Sequence, residues 1–291
     1  MRKSATFLFL ILPFTTLAQD EDLMKLATDS NAVMVKTATF KGNRIINGHS
    51  VETVGKKNLD FIISHRFGQV NLGYKQFFGL DAATIRLGLE YGMTNDVMIG
   101  LGRSSALKIY DFFGKFKLIK QSSGGSNIPV SITGFGAYTI RTQDTDPKLS
   151  ANDRSNYTAQ LLIARKFSEA FSLQLTPSFI YRNKPDFVND KKSVLAAGIG
   201  GRIKVTRRSS INGEYNYVLP NQIDDSYTNN LSFSYDIDTG GHVFQLLFTN
   251  SYGMVERQFI TETTGSWRKQ DIHFGFNISR TFSFNKQKSK S

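Results

Sequence analysis

The last stretch of the chain, residues 271–284, alternates polar and apolar side chains at nearly every position. A period of two indicates a β-strand whose two faces meet different surroundings. Arg280 interrupts the apolar face, so we expect it near lipid headgroups, where an arginine costs little. The apolar face carries Phe274, Phe276, Ile278, Phe282 and Phe284, and the polar face carries Asp271, His273, Gly275, Asn277, Ser279 and Thr281. Such a strand suits a wall between hydrocarbon and a polar interior.

The opposite end of the chain has the pattern of a secretory signal peptide. Arg2 and Lys3 precede the apolar run 5–12, and the small residues near Ala18 provide a cleavage site. The run is much shorter than the roughly 20 residues that a membrane-spanning helix needs. We therefore expect residues 1–18 to be removed and the mature chain to be exported to the outer membrane of a Gram-negative cell.

Period-two runs recur along most of the chain and predict twelve strands. Their approximate ranges are 59–67, 82–92, 97–103, 109–120, 128–140, 157–167, 171–182, 193–205, 209–218, 228–237, 242–250 and 271–284. Short connections alternate with mostly longer ones, as in bacterial barrels with short periplasmic turns and long outer loops. The prediction is an all-β fold, a transmembrane antiparallel up-and-down β-barrel of about twelve strands. Ten or fourteen strands, or a soluble β-sandwich, are the alternatives.

The chain divides into four parts. The barrel is predicted over 58–284, and a basic tail, 285–291, follows it. Residues 19–57 differ in character and read as a periplasmic leader, an inserted plug or an extra strand. The chain has no cysteine, so a continuous hydrogen-bonded ladder, rather than disulfides, must close the fold.

Charged residues are spread over the predicted strands. Without Arg2 and Lys3, 34 basic residues face 24 acidic ones, a net charge of about +10. The basic residues form no single patch, which argues against nucleic-acid binding. The candidate lumen-lining charges are Arg66, Arg86, Glu90, Lys115, Lys117, Arg202, Glu214, Asp271 and His273. These charges either pair across a narrow lumen and close it, or line a channel that prefers anions.

The remaining chemistry is sparse. His273 and Asp271 share one predicted face, and a rim serine, Ser104 or Ser105, could complete a hydrolase site. No nucleophile elbow, metal-ligand spacing or phosphate-binding glycine loop accompanies them. We therefore predict no catalytic residue, cofactor or metal. The apolar loop 251–270 holds the single tryptophan, Trp267, and is a candidate contact with the lumen, the membrane interface or a partner.

Several motifs resemble a family of outer-membrane β-barrel proteins of Bacteroidota whose function is uncharacterised. The stretches that carry the resemblance are 65–68, 86–92, 99–105, 240–246 and 271–280, and it extends over roughly residues 35–284. The resemblance implies a barrel fold and an outer-membrane location. It brings no activity and assigns no site residues.

These observations favour a passive pore for small solutes, with a bias toward anions. The alternative is a non-conducting structural or assembly barrel that binds a partner through its outer loops or through residues 19–57. A lipid-modifying enzyme that uses His273 and Asp271 is a third hypothesis. The expected surroundings are outer-membrane lipid and the barrel-assembly machinery, and we expect a monomer.

Overall fold

Twelve antiparallel strands form a closed barrel in the computed structural model, which describes residues 33–284. The barrel strands are β2 (Asn58–Gln69), β3 (Ala83–Gly92), β4 (Val97–Ser104), β5 (Ile109–Ile119), β7 (Ser131–Arg141), β8 (Ser155–Lys166), β9 (Phe171–Arg182), β10 (Ser193–Lys204), β11 (Ser209–Val218), β12 (Asn230–Asp238), β13 (His242–Thr249) and β14 (His273–Ser283). Each strand pairs with its neighbours in chain order, and β14 pairs with β2 to close the ring. The predicted fold and strand number are confirmed.

The two ends of the barrel differ in their connections. β2 begins and β14 ends at one end, where Ser283 pairs with Asn58. We call it the turn end, because its links are mostly short, and we call the opposite end the loop end. The loop end carries the short helices α1 (Ala151–Arg154) and α2 (Glu256–Thr261) and 3-10 turns at Val70–Leu72, Tyr74–Gly79, Ala106–Lys108 and Trp267–Lys269. Between residues 33 and 284, no helix has the length and apolar character needed to cross a membrane.

The wall shows the alternation that the sequence predicts. On β12, Phe233 and Tyr235 face outward and are exposed, whereas Ser232 and Ser234 face inward and are buried. Arg280 lies near the turn end, with its guanidinium 4.9 Å from the ring of Phe282. Arg165 and Phe167 repeat this arrangement at 5.0 Å. An arginine near the edge of the apolar band can reach polar headgroups at little cost.

Two local features differ from the sequence predictions. β14 begins at His273 rather than at residue 271, because the Asp271 carboxylate accepts hydrogen bonds from Ser266 and Asn71 and so belongs to the preceding loop. The predicted turn 121–127 contains β6 (Ser122–Gly124). This strand pairs with β1 (Val33–Val35) in a separate two-stranded sheet. Each strand has only three residues, which is too short for a period-two pattern to be recognised.

Two further parts of the chain fill the barrel interior. Residues 39–54, here called the inner segment, run inside the wall, where Phe40, Ile45 and Ile46 pack with inward-facing Leu247. From the loop end, residues 250–265 fold inward and bury every residue of α2. We call this second part the inner loop. The interior is therefore occupied by chain that is not part of the wall.

Gly92 provides a test of the close approach between the inner segment and the wall. A Cβ added at Gly92 would overlap the carbonyl oxygens of Val54 and Gly55, whereas one at outward-facing Gly136 meets no atom within 4 Å. We expect Gly92→Ala to lower stability by about 1–3 kcal/mol, the usual cost of overpacking. Gly136→Ala should leave it nearly unchanged. Thermal and urea unfolding of the detergent-folded protein, followed by circular dichroism, checks this. Equal stability of the two variants would contradict the position of residues 54–55.

Candidate functional site

A buried carboxylate holds the centre of the inner segment. Glu214 on β11 accepts the backbone N–H groups of Ile46, Asn47 and Gly48 at 3.0–3.2 Å. The side-chain amide of Asn216 donates a further bond at 3.1 Å. Successive backbone N–H groups that point to one place form a binding site for an anion, and hydrogen bonds to a charged acceptor are stronger than neutral ones. Glu214 thus fixes the turn at residues 46–48.

Other wall side chains bind the carbonyl groups of the inner segment. The donors come from five strands around the barrel: Lys115 to Asn43 and Ser50 (3.2 and 3.0 Å), Thr133 to Val51 (2.9 Å), Gln174 to His49 (2.8 Å), Gln245 to Ile45 (2.7 Å) and Asn277 to Ile46 (3.1 Å). Buried backbone polar groups need such partners. The hydroxyl- and amide-rich inner face of the wall therefore binds a peptide backbone.

The inner loop closes the lumen from the loop end. Phe259 and Ile260 of α2 pack against inward-facing apolar side chains of the wall, among them Ile180 and Val194. Arg257 pairs with Glu262 at 2.5 Å and lies 3.7 Å from Asp186 of a neighbouring loop. Apolar packing and this ion pair together hold the loop inside the barrel mouth.

The inner segment and the inner loop meet in a buried group of charges, here called the junction: Arg44, His49, Glu90 and Glu256. Glu256 of α2 lies 3.8 Å from Arg44 and 3.5 Å from the His49 Nε2 atom, and Glu90 of β3 lies 3.7 Å from Arg44. Among the described residues, both His49 ring nitrogens and both Glu90 oxygens lack a hydrogen-bond partner. The junction is thus enclosed and incompletely paired.

Burial dominates the titration of the junction. It lowers the pKa of His49 well below the usual range, and the nearby cations of Arg44, Lys115 and Arg86 lower it further. Burial also raises the pKa of Glu256, although Arg44 opposes this rise. Both effects follow from the cost of holding a charge away from water. His49 is therefore neutral in the closed lumen at neutral pH.

Five of the candidate lumen charges lie deep inside the barrel. Arg86 pairs with Asp111, and Arg66 donates to Asn47 of the inner segment at 2.9 Å. The five are Arg66, Arg86, Glu90, Lys115 and Glu214, all nearly inaccessible to solvent. They are packed against the inner segment and the junction rather than facing an open channel.

The other candidates lie nearer the barrel ends. Lys117 is half-buried and 3.5 Å from Glu52 of the inner segment, and Arg202 is half-buried in β10. Asp271 is not a lumen residue, because it lies in the loop before β14. The ring of His273 bonds to the Phe67 carbonyl at 2.7 Å rather than to Asp271.

Trp267 and the rim serines have structural contacts. The Trp267 indole donates to the Leu231 carbonyl at 2.9 Å and packs edge-on against outward-facing Phe233. The Ser104 hydroxyl accepts the N–H of Ala106, and the Ser105 hydroxyl accepts the N–H of Ile85 of the adjacent strand β3. Trp267 thus lies against the outside of the wall, while the loop before it enters the lumen.

Sequence reasoning did not identify Arg44, His49 and Glu256 as members of one site. Each residue lies in a segment without strand periodicity, and the three meet only when both segments enter the lumen. The weak signals were the charged pair Glu256–Arg257 within an apolar loop, and Arg44 and His49 on either side of the apolar pair Ile45–Ile46 before the barrel.

Chemical rescue tests the role of Glu214. In a background with Ile46→Cys, which is otherwise free of cysteine, we expect Glu214→Ala to increase labelling by a water-soluble maleimide about tenfold or more. Loss of charge-assisted hydrogen bonds to buried N–H groups costs about 1–3 kcal/mol. Formate, a small carboxylate, should occupy the vacated site and reduce the labelling again.

Two controls belong to this experiment. Ser234→Ala removes an inward hydroxyl that bonds only to the wall residues Asn212 and Asp236, and it should leave labelling unchanged. Formamide, which is neutral, should not reduce the labelling as formate does. If labelling of Glu214→Ala equals that of the parent, the inner segment does not depend on this carboxylate.

Comparison with known proteins gives a family match and several distant structural likenesses. The NanC porin is 7% identical (78% of this chain, 100% of that chain, TM-score 0.49), the KdgM porin 10% (77%, 99%, 0.47) and Omp33 of Acinetobacter baumannii 7% (78%, 99%, 0.45). No curated protein sequence matches the chain. The family described as "Membrane bound beta barrel domain (DUF5777)" matches residues 40–282, so the protein belongs to this family of membrane β-barrels.

Proposed function

We propose that the protein is an outer-membrane pore for small solutes whose lumen is closed at rest by the inner segment. The observation that carries the proposal is the set of wall side chains that bind the backbone of residues 43–51. Each neutral hydrogen bond of this set contributes only about 0.5–1.5 kcal/mol net, and each bond to Glu214 or Lys115 about 1.5–3 kcal/mol, because water replaces it when the segment leaves. Closure of this kind is reversible.

The inner face of the wall is suited to line a pore for small solutes once the inner segment leaves the lumen. Its inner face carries small hydroxyl and amide side chains, such as Ser232 and Asn212, that water can wet. A barrel of about eight strands is filled by its own side chains, and one of sixteen or more encloses a channel. A barrel of twelve strands lies between these sizes. In this protein the inner segment and the inner loop fill the lumen together with the side chains of the wall.

The orientation follows from the connections. Short links lie in the periplasm in bacterial barrels, which puts the turn end there and the loop end outside the cell. Residue 36 bonds to Gln121 and residue 57 to Gly92, both at the turn end. The inner segment is therefore reached from the periplasm. The predicted signal peptide, residues 1–18, lies outside the described residues.

A preference for anions follows from the cations on the wall. Arg66 and Lys115 lose their inner-segment partners when it leaves, and Lys117 and Arg202 lie near the turn end. Cationic side chains in a pore favour anions. No step of this function needs catalysis, and we propose that the protein is not an enzyme.

A reversible lock tests whether conduction needs movement of the inner segment. A Cβ added at Gly200 lies 3.5 and 3.6 Å from the two Cγ atoms of Ile45, close to the geometry of a disulfide. The native protein should show brief openings in planar bilayers. Oxidised Ile45→Cys/Gly200→Cys should show none, because the disulfide fixes the segment, and a reductant should restore them.

Each single cysteine variant serves as a control and should show openings under both oxidising and reducing conditions. A folded native protein that never opens would contradict the pore and favour the alternative, a non-conducting barrel that presents its loops or leader to a partner. Openings that persist in the oxidised pair would show that the inner segment is not the gate.

Ion selectivity provides a separate prediction. Neutralising the two cations near the turn end, with Lys117→Gln and Arg202→Gln, should lower the anion preference measured as a reversal potential in a salt gradient. Lys148→Gln, in the loop after β7, should have little effect, because loop charges far from the lumen are screened by salt. An unchanged reversal potential in the double variant would contradict the anion bias.

A further inference from the structure

His49 is almost completely enclosed within the junction. The residue is only 1% exposed, and its ring lies between the rings of Phe113 and Phe135, with centroids 4.6 and 4.5 Å away. Its carbonyl binds Gln174, and the preceding residue, Gly48, binds Glu214. The imidazole is thus positioned by backbone hydrogen bonds of residues 48 and 49 and by two aromatic rings.

The charges that face His49 balance without it. The cations are Arg44 of the same segment, Arg86 of β3 and Lys115 of β5; the carboxylates are Glu90 of β3, Asp111 of β5 and Glu256 of α2. Asp111 is taken by Arg86, and Glu90 and Glu256 flank Arg44. A protonated His49 would be a fourth, uncompensated cation in a space closed to water, which is costly.

We propose that His49 is a proton-binding site that controls the gate, neutral while the inner segment fills the lumen and protonated once the segment has left it. The proposal rests on the proposed function, because it requires that the inner segment moves. It assigns a chemical signal to that movement: acidification opens the pore.

The direction follows from the difference between the two states. In the closed lumen the pKa of His49 lies well below its usual range, and in water it returns to about 6.5. Below about pH 6.5 the open state binds a proton that the closed state does not, so acid favours opening, by at most about tenfold per pH unit. Glu256 acts in the opposite sense. Burial raises its pKa in the closed state, so its protonation as the pH falls favours closure.

Single-channel recording between pH 7.5 and 5.0 tests the inference. We expect the open probability of the native protein to rise several-fold as the pH falls through 6.5. His49→Gln and His49→Phe cannot take up a proton at this position and should lose the rise. The phenylalanine variant fits the aromatic surroundings and serves if the glutamine variant folds poorly.

His65→Gln is the matched control. His65 stacks on Phe276 at the outer face of the wall, away from the lumen, so this variant should keep the native pH response. A pH response that survives in the His49 variants, or native openings that ignore pH, would overturn the inference and leave the pore intact. A native protein silent at every pH would instead remove the proposed function on which it rests.

Discussion

The closed lumen depends on the hydrogen bonds that Glu214 accepts from one turn of the inner segment. A carboxylate buried inside a barrel is unfavourable unless several donors surround it. Here three of the four donors are backbone N–H groups of the inner segment itself, and the fourth is the Asn216 amide. Because these groups precede His49 and follow Arg44, the same contact determines where both side chains meet the inner loop.

The two closures differ in chemistry. The inner loop is held largely by apolar side chains, Phe259 and Ile260, whereas the inner segment is held mainly by hydrogen bonds to wall side chains. Water can replace hydrogen bonds but not apolar packing. The inner segment is therefore the easier of the two to displace. Its departure would remove the contacts that it makes with the inner loop at the junction.

The barrel could be predicted from the sequence because each strand carries its own evidence. Alternation on β12 or β14 assigns every residue to a face, and neighbouring strands follow in chain order. The contents of the lumen could not be predicted in this way. Glu214 lies 166 residues from Gly48, and Asn277 lies 231 from Ile46. Alternation shows that such side chains point inward, but a polar inner face suits water and a bound backbone equally well. Asp271 was misplaced because its carboxylate bonds to the loop residues Ser266 and Asn71, and β14 begins two residues later than the alternation predicts.

The inner segment enters and leaves the barrel by the same end, with residue 36 tied to Gln121 and residue 57 to Gly92. The inner segment is therefore inserted into the barrel from one end, and the described residues before β2 are not threaded through the barrel. The ring of strands can close before the inner segment enters it, so assembly in the membrane does not require a filled interior. For the same reason, withdrawal of the inner segment breaks no strand pairing of the wall.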